Sequence, residues 1–187
     1  MQQQLIYTFL SLSILFVLIG LSEEKETISR MMANNAEATA AMAIVLTLHS
    51  FNVIVYLEDL ETQIGKWQWY IHVILHTIYI LLGYIILLVD IIDYEEQHII
   101  LTGFTFCATG LTFIVYGNSR YNSILLVEAI VYWSMLIAFG ITFNAYVEYI
   151  VLSLLLVSKT FRVWIFNSTQ HAHRNLLRSN PTCFCFV

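Results

Sequence analysis

The sequence predicts an all-α, polytopic membrane protein with about six transmembrane helices in one compact bundle. Composition supports this fold class: of 187 residues, 59% are hydrophobic and only 11% are charged, and the single proline, Pro181, lies outside every apolar stretch. Soluble domains carry about 25% charged residues, so a soluble fold could not hide this much apolar surface. The expected partner is therefore the lipid bilayer. The formal net charge of -5 excludes a nucleic-acid partner, which requires a basic face.

The first apolar stretch, residues 5–21, is close to the length of about 20 residues that a spanning helix needs. A signal peptide and a retained helix are both open interpretations of this stretch, because it precedes a polar segment. It lacks a basic n-region and an Ala-x-Ala cleavage site. We therefore expect a retained transmembrane helix.

Five further helices follow a charged, water-facing link at residues 22–37. They are predicted at 38–57, 67–91, 98–116, 121–139 and 144–166. Trp67, Trp69 and Tyr70 at the start of the third helix are typical of an interfacial aromatic belt. In the fourth, Gly103, Cys107 and Gly110 are predicted to share a face that allows close packing. Residues 1–166 would thus form one transmembrane domain, followed by a polar tail at 167–187.

The distribution of basic residues predicts the orientation. Six spans place both termini on one side of the membrane. That side would hold all basic residues except two, Lys25 and Arg30. By the positive-inside rule, both termini should lie on the cytoplasmic or matrix side, in the plasma membrane or the mitochondrial inner membrane.

Four ionisable residues interrupt the predicted spans: His49, His76, Glu128 and Lys159. At a rise of 1.5 Å per residue, each lies roughly 10–12 Å from the same inner membrane face. Ionisable side chains inside a bilayer are costly and mark functional sites by default. The sequence therefore predicts an intramembrane polar cluster, supported by a polar stripe on the second and third helices that comprises Asn52, His72, Tyr79 and Asp90.

Several roles remain open for this cluster. Glu128 and Lys159 could form a structural ion pair between helices, because a paired charge is better satisfied than a single one. Histidine and glutamate could instead relay protons or coordinate an ion. His49 and His76 could also be the axial ligands of haem b. No phosphate loop, zinc-protease motif or nucleophile elbow occurs, so neither an enzyme nor a metal centre is expected.

The last predicted helix reads Tyr149-Ile-Val-Leu-Ser-Leu-Leu-Leu-Val-Ser-Lys159-Thr-Phe-Arg-Val-Trp164-Ile-Phe. It resembles the retinal-binding helix of heliorhodopsins, in which a Tyr-Ile-Val-Leu-Ser-Leu run precedes the Schiff-base lysine, and Trp and Ile-Phe follow it. The resemblance implies that Lys159 binds retinal and that Glu128 or a histidine is the counterion. This sequence departs from the family in helix number, which is seven there, and in a longer tyrosine-to-lysine spacing. It also lacks the family's glutamate in the third helix, where Ile71 or His72 stands.

The favoured function is a non-enzymatic membrane subunit that packs laterally into a larger complex or homo-oligomer, for instance in an energy-transducing membrane. Two alternatives stay open. One is a retinal photoreceptor that uses Lys159, and the other is a small channel or proton-coupled transporter. Retinal and haem b are correspondingly the two cofactors under consideration.

Overall fold

The computed structural model describes residues 2–21, 27–62, 64–89, 91–114, 122–142 and 145–179. These residues form helices and connecting turns, with no strand among them, which confirms the predicted all-α class. Seven helices are described: α1 (Gln2–Leu21), α2 (Ile28–Asn34), α3 (Ala36–Glu61), α4 (Lys66–Leu88), α5 (Glu95–Ile114), α6 (Asn122–Thr142) and α7 (Ala145–Ser179).

Three of these helices are long and apolar enough to cross a membrane. They are Gln2–Gly20 within α1, Ala36–Glu61 as α3, and Lys66–Leu88 as α4. A shorter apolar segment, Leu126–Thr142, lies in α6. These helices indicate that the protein associates with a membrane.

The distribution of polar and apolar side chains is inverted relative to a soluble protein. Large apolar side chains such as Phe9, Phe16 and Phe104 are exposed, whereas Lys159 and Arg162 are buried. An apolar outer surface is favourable when the surrounding solvent is lipid, and the polar groups then collect inside the bundle. Other buried polar residues are Gln4, Thr8, Ser11, His49, Asn52, His72, His76, Thr109, Thr112 and Glu148.

The six long helices form a closed ring. Each contacts the next in the order α1, α3, α4, α5, α6 and α7, and α7 contacts α1. In addition, α3 contacts α7, while the short α2 packs against both α3 and α7. The polar residues of α3 and α7 therefore meet inside the ring.

The predicted link at 22–37 contains a helix that the sequence analysis did not identify. Thr27 caps α2 by accepting a hydrogen bond from the backbone N–H of Arg30. Asn35 then caps α3, its Oδ1 accepting from the N–H of Glu37 at 2.8 Å. Thr and Asn are favoured N-cap residues, so both helix starts had local signals that the high charge of this segment obscured.

The last helix is longer than predicted, since α7 continues past residue 166 to Ser179. Part of the predicted tail is therefore helical. No proline or glycine occurs between Ala145 and Ser179, so no strong helix breaker stops α7 earlier. A helix of 35 residues is about 50 Å long, more than the roughly 30 Å of a hydrocarbon core.

The small residues of α5 do not share one packed face, contrary to prediction. Gly110 faces α6 so closely that an added Cβ would lie 2.5 Å from Cζ2 of Trp133. Gly103 borders open space instead, and Cys107 is exposed. Close packing of α5 against α6 therefore depends on Gly110.

Candidate functional site

Two charged residues of α7 form the middle of the bundle's interior. Lys159 and Arg162 are three residues apart, so they lie on one side of the helix. Tyr56 of α3, Thr112 of α5 and Glu128 of α6 surround them. We call these five residues the charged centre.

Arg162 is the main hydrogen-bond donor of the charged centre. Its Nε donates to Oε2 of Glu128 at 2.8 Å, which makes an ion pair whose side chains are 1% and 16% exposed. Its Nη1 donates to the hydroxyl of Tyr56 and to the carbonyl oxygen of Thr112, both at 3.4 Å. An ion pair of Glu128 with Lys159 was one of the roles left open by the sequence, and the structure shows Glu128 paired with Arg162.

Lys159 has a different environment one turn away. Its side chain is fully buried, and Nζ donates to Oγ1 of Thr112 at 3.2 Å. Nζ also lies 5.1 Å from the ring centroid of Tyr56, within the range of a cation–π contact. Lys159 is thus held by a hydroxyl and an aromatic face, while Glu128 is bound to the neighbouring guanidinium.

The two predicted histidines belong to a second group of polar residues, on α3 and α4. Nε2 of His49 lies 2.9 Å from the hydroxyl of Tyr79, and Nδ1 of His76 donates to the carbonyl oxygen of His72 at 2.6 Å. The ring of His76 lies 5.6 Å from that of Tyr56. Tyr56 therefore connects the histidines to the charged centre. The four residues of the predicted cluster are thus linked through Tyr56, which the sequence analysis had not included in that cluster.

A haem ligated by His49 and His76 would require a rearrangement. The ring of Tyr79 lies 5.9 Å from that of His49 and 5.3 Å from that of His76. A macrocycle between the two histidines would displace this tyrosine. Haem binding stays a prediction on that condition. Within the described residues, no group of three His, Cys, Asp or Glu side chains is placed to hold a metal ion.

The supporting polar stripe is also buried where the structure describes it. Asn52 donates through Nδ2 to Oγ1 of Thr8 at 2.9 Å and of Thr160 at 3.4 Å. Thr8 and Thr160 are themselves 2.6 Å apart. These contacts join α1, α3 and α7 beside Lys159, and so fix how α7 faces the interior. Asp90 lies outside the described residues.

A cleft of about 110 Å³ opens inside the ring, and its lining extends to within one turn of the charged centre on two helices. Two of its lining residues lie close to the charged centre in sequence: Leu155 is one turn before Lys159 on α7, and Thr109 is one turn before Thr112 on α5. The wall is mostly apolar, and it includes Met32, Met42, Leu46, Gly83, Phe106 and Leu152. We call this space the interior cleft. His49 and Tyr79 border it at mid-depth, and Ile28, Ser29 and Glu148 border its opposite end.

The short helix α2 covers that opposite end. The backbone N–H of Ile28 donates to Oε2 of Glu148 at 2.9 Å. Nε2 of His98 lies 2.9 Å from Oγ of Ser29, and Nδ1 of His98 donates to the carbonyl oxygen of Val89 at 2.7 Å. These contacts attach α2 to α7 and α5.

Sequence reasoning missed Arg162 and the hydroxyl residues around Lys159. Arg162 was counted as a basic residue of the membrane surface, although its spacing from Lys159 places both on one helix face. Thr112 and Thr160 carry no comparable signal, because threonine is unremarkable in an apolar helix. Their roles depend on how the helices pack.

No family model, curated protein or solved structure matches this chain. A function therefore has to be argued from the chemistry of the charged centre and the interior cleft.

Proposed function

We propose that the chain is an integral membrane protein of six spans that binds an apolar aldehyde of the retinal class covalently through Lys159. The observation that carries this proposal is the complete burial of Lys159 one turn from an apolar cleft. An intramembrane lysine is expensive to maintain, which favours a functional role over a purely structural one. In this proposal both termini lie on the cytoplasmic or matrix side.

The surroundings of Lys159 suit a nucleophilic amine. Lysines that are removed from water or placed beside another cation are those that react with carbonyl groups. Lys159 meets both conditions, since it is fully buried and Arg162 is one turn away. Condensation of such an amine with an aldehyde releases one water and attaches the aldehyde carbon to nitrogen.

The apolar walls of the interior cleft suit an elongated apolar group. The volume of the cleft accommodates only part of such a group. Its walls are mostly hydrocarbon side chains, and at Gly83 an added Cβ would lie 3.2 Å from Leu46. Ligand pockets commonly measure roughly 300–1,000 Å³, more than the 110 Å³ of this cleft. Binding therefore requires flexible side chains such as Met32 and Met42 to move aside.

Glu128 supplies negative charge close to Lys159. Its carboxylate is held in place by Arg162, which is itself fixed by Tyr56 and by the Thr112 carbonyl. The resemblance in the last helix implies retinal as the aldehyde and an acidic counterion, and Glu128 is the acid that the charged centre provides. Arg162 would then orient Glu128, and Thr112 would orient the amine.

Reductive trapping tests the site of attachment. Purified protein in detergent is incubated with all-trans retinal, reduced with borohydride and digested for peptide mass spectrometry. We expect the adduct on Lys159 and its loss in Lys159→Ala. Lys66→Ala is the matched control and should leave labelling unchanged, because Lys66 lies at the exposed start of α4. Labelling that persists in Lys159→Ala would contradict the proposal.

A proton-coupled carrier or channel is a second candidate, favoured by a series of hydrogen bonds and ring contacts between side chains inside the bundle. Glu128, Arg162 and Tyr56 lead to His76 and Tyr79, and the hydroxyl of Tyr79 contacts His49 at the edge of the cleft. Proton flux into liposomes would test it. This candidate requires flux that falls in both Glu128→Gln and His76→Ala.

Lateral packing into a larger complex, the function that the sequence favoured, stays a prediction. Gly103 and Cys107 lie on the outer side of α5, and small residues at such spacing allow close approach of membrane helices. Isolation in mild detergent is the test. A monodisperse monomer without partners would contradict this prediction.

A further inference from the structure

Glu148 is a buried acidic residue that neither the charged centre nor the proposed attachment chemistry uses. It lies in the first turn of α7, is 4% exposed and lines the end of the interior cleft away from Lys159. Burying a carboxylate is costly unless hydrogen bonds compensate for the lost water. Among the described residues, the backbone N–H of Ile28 donates to its Oε2. A carboxylate has about four acceptor positions on its two oxygens, so it retains the capacity to accept from a ligand.

The spacing of Glu148 and Lys159 along α7 sets the length of a ligand that could contact both residues. The two residues are 11 positions apart on one helix, which is close to three turns, so they lie on the same side of α7. Their separation along the helix axis is roughly 16 Å. Leu152 and Leu155 lie between them in sequence and line the cleft. A carboxylate, an apolar wall and an amine thus follow one another along α7.

A second polar residue borders this cleft. His49 is 2% exposed and lines the cleft, and its Nδ1 has no hydrogen-bond partner among the described residues. Buried polar atoms in proteins are generally hydrogen-bonded, so the Nδ1 of His49 has hydrogen-bonding capacity for an occupant of the cleft. Because Glu148 and His49 border one apolar space, the occupant is expected to be amphipathic.

We propose that the interior cleft binds a single-chain amphiphile whose head group donates a hydrogen bond to Glu148 and whose apolar chain runs towards Lys159. Glu148 lies in the first turn of α7, near its N-terminal end. The head group of the ligand would therefore lie near the membrane surface and its apolar chain deeper, as amphiphiles orient in a bilayer. The inference rests on the proposed function only for the end of the occupant near Lys159. A retinal-class aldehyde with a hydroxyl at the end opposite its carbonyl would contact both residues, whereas retinal itself would contact Lys159 alone.

The alternative role for Glu148 is purely structural. Its bond to Ile28 attaches α2 to α7, and an acid in the first turn of a helix is also stabilised by the helix dipole. That role would not make the cleft distinguish between ligands that differ only in their head group. Head-group selectivity is therefore the property that separates the two roles.

The test uses three chains of equal length: hexadecan-1-ol, its methyl ether and palmitate. Binding to the detergent-solubilised full-length chain is measured by native mass spectrometry under competition. We expect the alcohol to bind about tenfold more tightly than the ether, because one hydrogen bond to the carboxyl of Glu148 is lost. Palmitate should bind weakest at an alkaline pH at which both carboxyl groups are ionised, since its carboxylate would then face that of Glu148.

Two variants of Glu148 and one control variant test whether this selectivity depends on Glu148. Glu148→Leu should reduce the alcohol-to-ether ratio to about one, whereas Glu95→Leu, at the exposed start of α5, should leave it unchanged. Glu148→Gln keeps an acceptor for the N–H of Ile28, so it is the variant to measure if Glu148→Leu does not fold. It should give an intermediate alcohol-to-ether ratio. Equal binding of alcohol and ether by the wild-type protein would overturn the inference.

The outcome is separable from that of the proposed function. None of the three probes carries an aldehyde, so the measurement does not depend on the reactivity of Lys159. Selectivity for the alcohol without a retinal adduct would overturn only the covalent role of Lys159. A Lys159 adduct without head-group selectivity would overturn only the role of Glu148.

Discussion

The carboxylate of Glu128 accepts a hydrogen bond from Nε of Arg162 at 2.8 Å, where α6 packs against α7. Arg162 also donates to Tyr56 and to the Thr112 carbonyl, so one guanidinium joins four of the six ring helices. Its planar, branched donor geometry suits this role better than a lysine ammonium would. Lys159, three residues before Arg162, donates to Thr112 and lies one turn from Leu155 of the interior cleft.

Removing Glu128 should destabilise the bundle, because Arg162 would keep a buried charge without its counter-charge. We expect Glu128→Ala to lower the free energy of unfolding by about 3 kcal/mol, measured by denaturant titration in micelles. Glu95→Ala is the control at an exposed acid of α5 and should change it by less than about 0.5 kcal/mol. Equal effects of the two variants would contradict the ion pair's role.

The contact between α5 and α6 should tolerate no side chain at Gly110. An added Cβ would lie 2.5 Å from Trp133, so Gly110→Ala should cost about 1–3 kcal/mol through overpacking. Gly103→Ala is the matched control in the same helix, where nothing lies within 4 Å. The control should be neutral or slightly stabilising, since alanine favours helix over glycine. Thermal unfolding of both variants would check this packing.

The Asn52 contacts should contribute to holding α7 in place. Asn52→Leu removes the donor to Thr8 and Thr160, and we expect a loss of about 1–2 kcal/mol. Ser50→Ala is the control, since the hydroxyl of Ser50 donates to Leu46 within its own helix. Unfolding measurements that place Asn52→Leu no lower than Ser50→Ala would argue against a role in packing.

Single-cysteine labelling should report the six-span arrangement. In a background with all three native cysteines replaced, Thr62→Cys and Asp93→Cys lie at opposite ends of α4. A membrane-impermeant thiol reagent should therefore label them from opposite sides of sealed vesicles. Thr62→Cys should share its side with a tag at either terminus. Labelling of both positions from one side would contradict this topology.

The sequence was sufficient to predict the long helices, because their signal is local. Each predicted span corresponds to one long helix, with ends that differ by a few residues except at α7. The short helix α2 was missed, since its seven residues lie in a charged segment and their burial depends on packing against α3 and α7. Hydropathy measures the average of a stretch, and α2 is stabilised by a few buried residues such as Ile28 and Met31.

The membership of the site was only partly predictable. His49, His76 and Lys159 were identified because ionisable groups are rare in apolar helices, and the structure buries them. An ion pair between Glu128 and Lys159 was one of the open roles, and the structure shows Glu128 paired with Arg162. Helix rotation decides which of these two residues of α7 faces α6. A period of 3.6 residues places both on one side of α7, and sequence spacing cannot rank residues one turn apart. Tyr56, which connects the histidines to the charged centre, could be identified only from packing.

Covalent attachment of a retinal-class aldehyde at Lys159 is the property that we propose for this protein. The most direct measurement is the visible absorbance spectrum of the purified, folded protein after addition of all-trans retinal. We expect a new visible band in the wild-type protein and its absence in Lys159→Ala, with unchanged helical circular dichroism in both. A wild-type spectrum that shows only free retinal would contradict it.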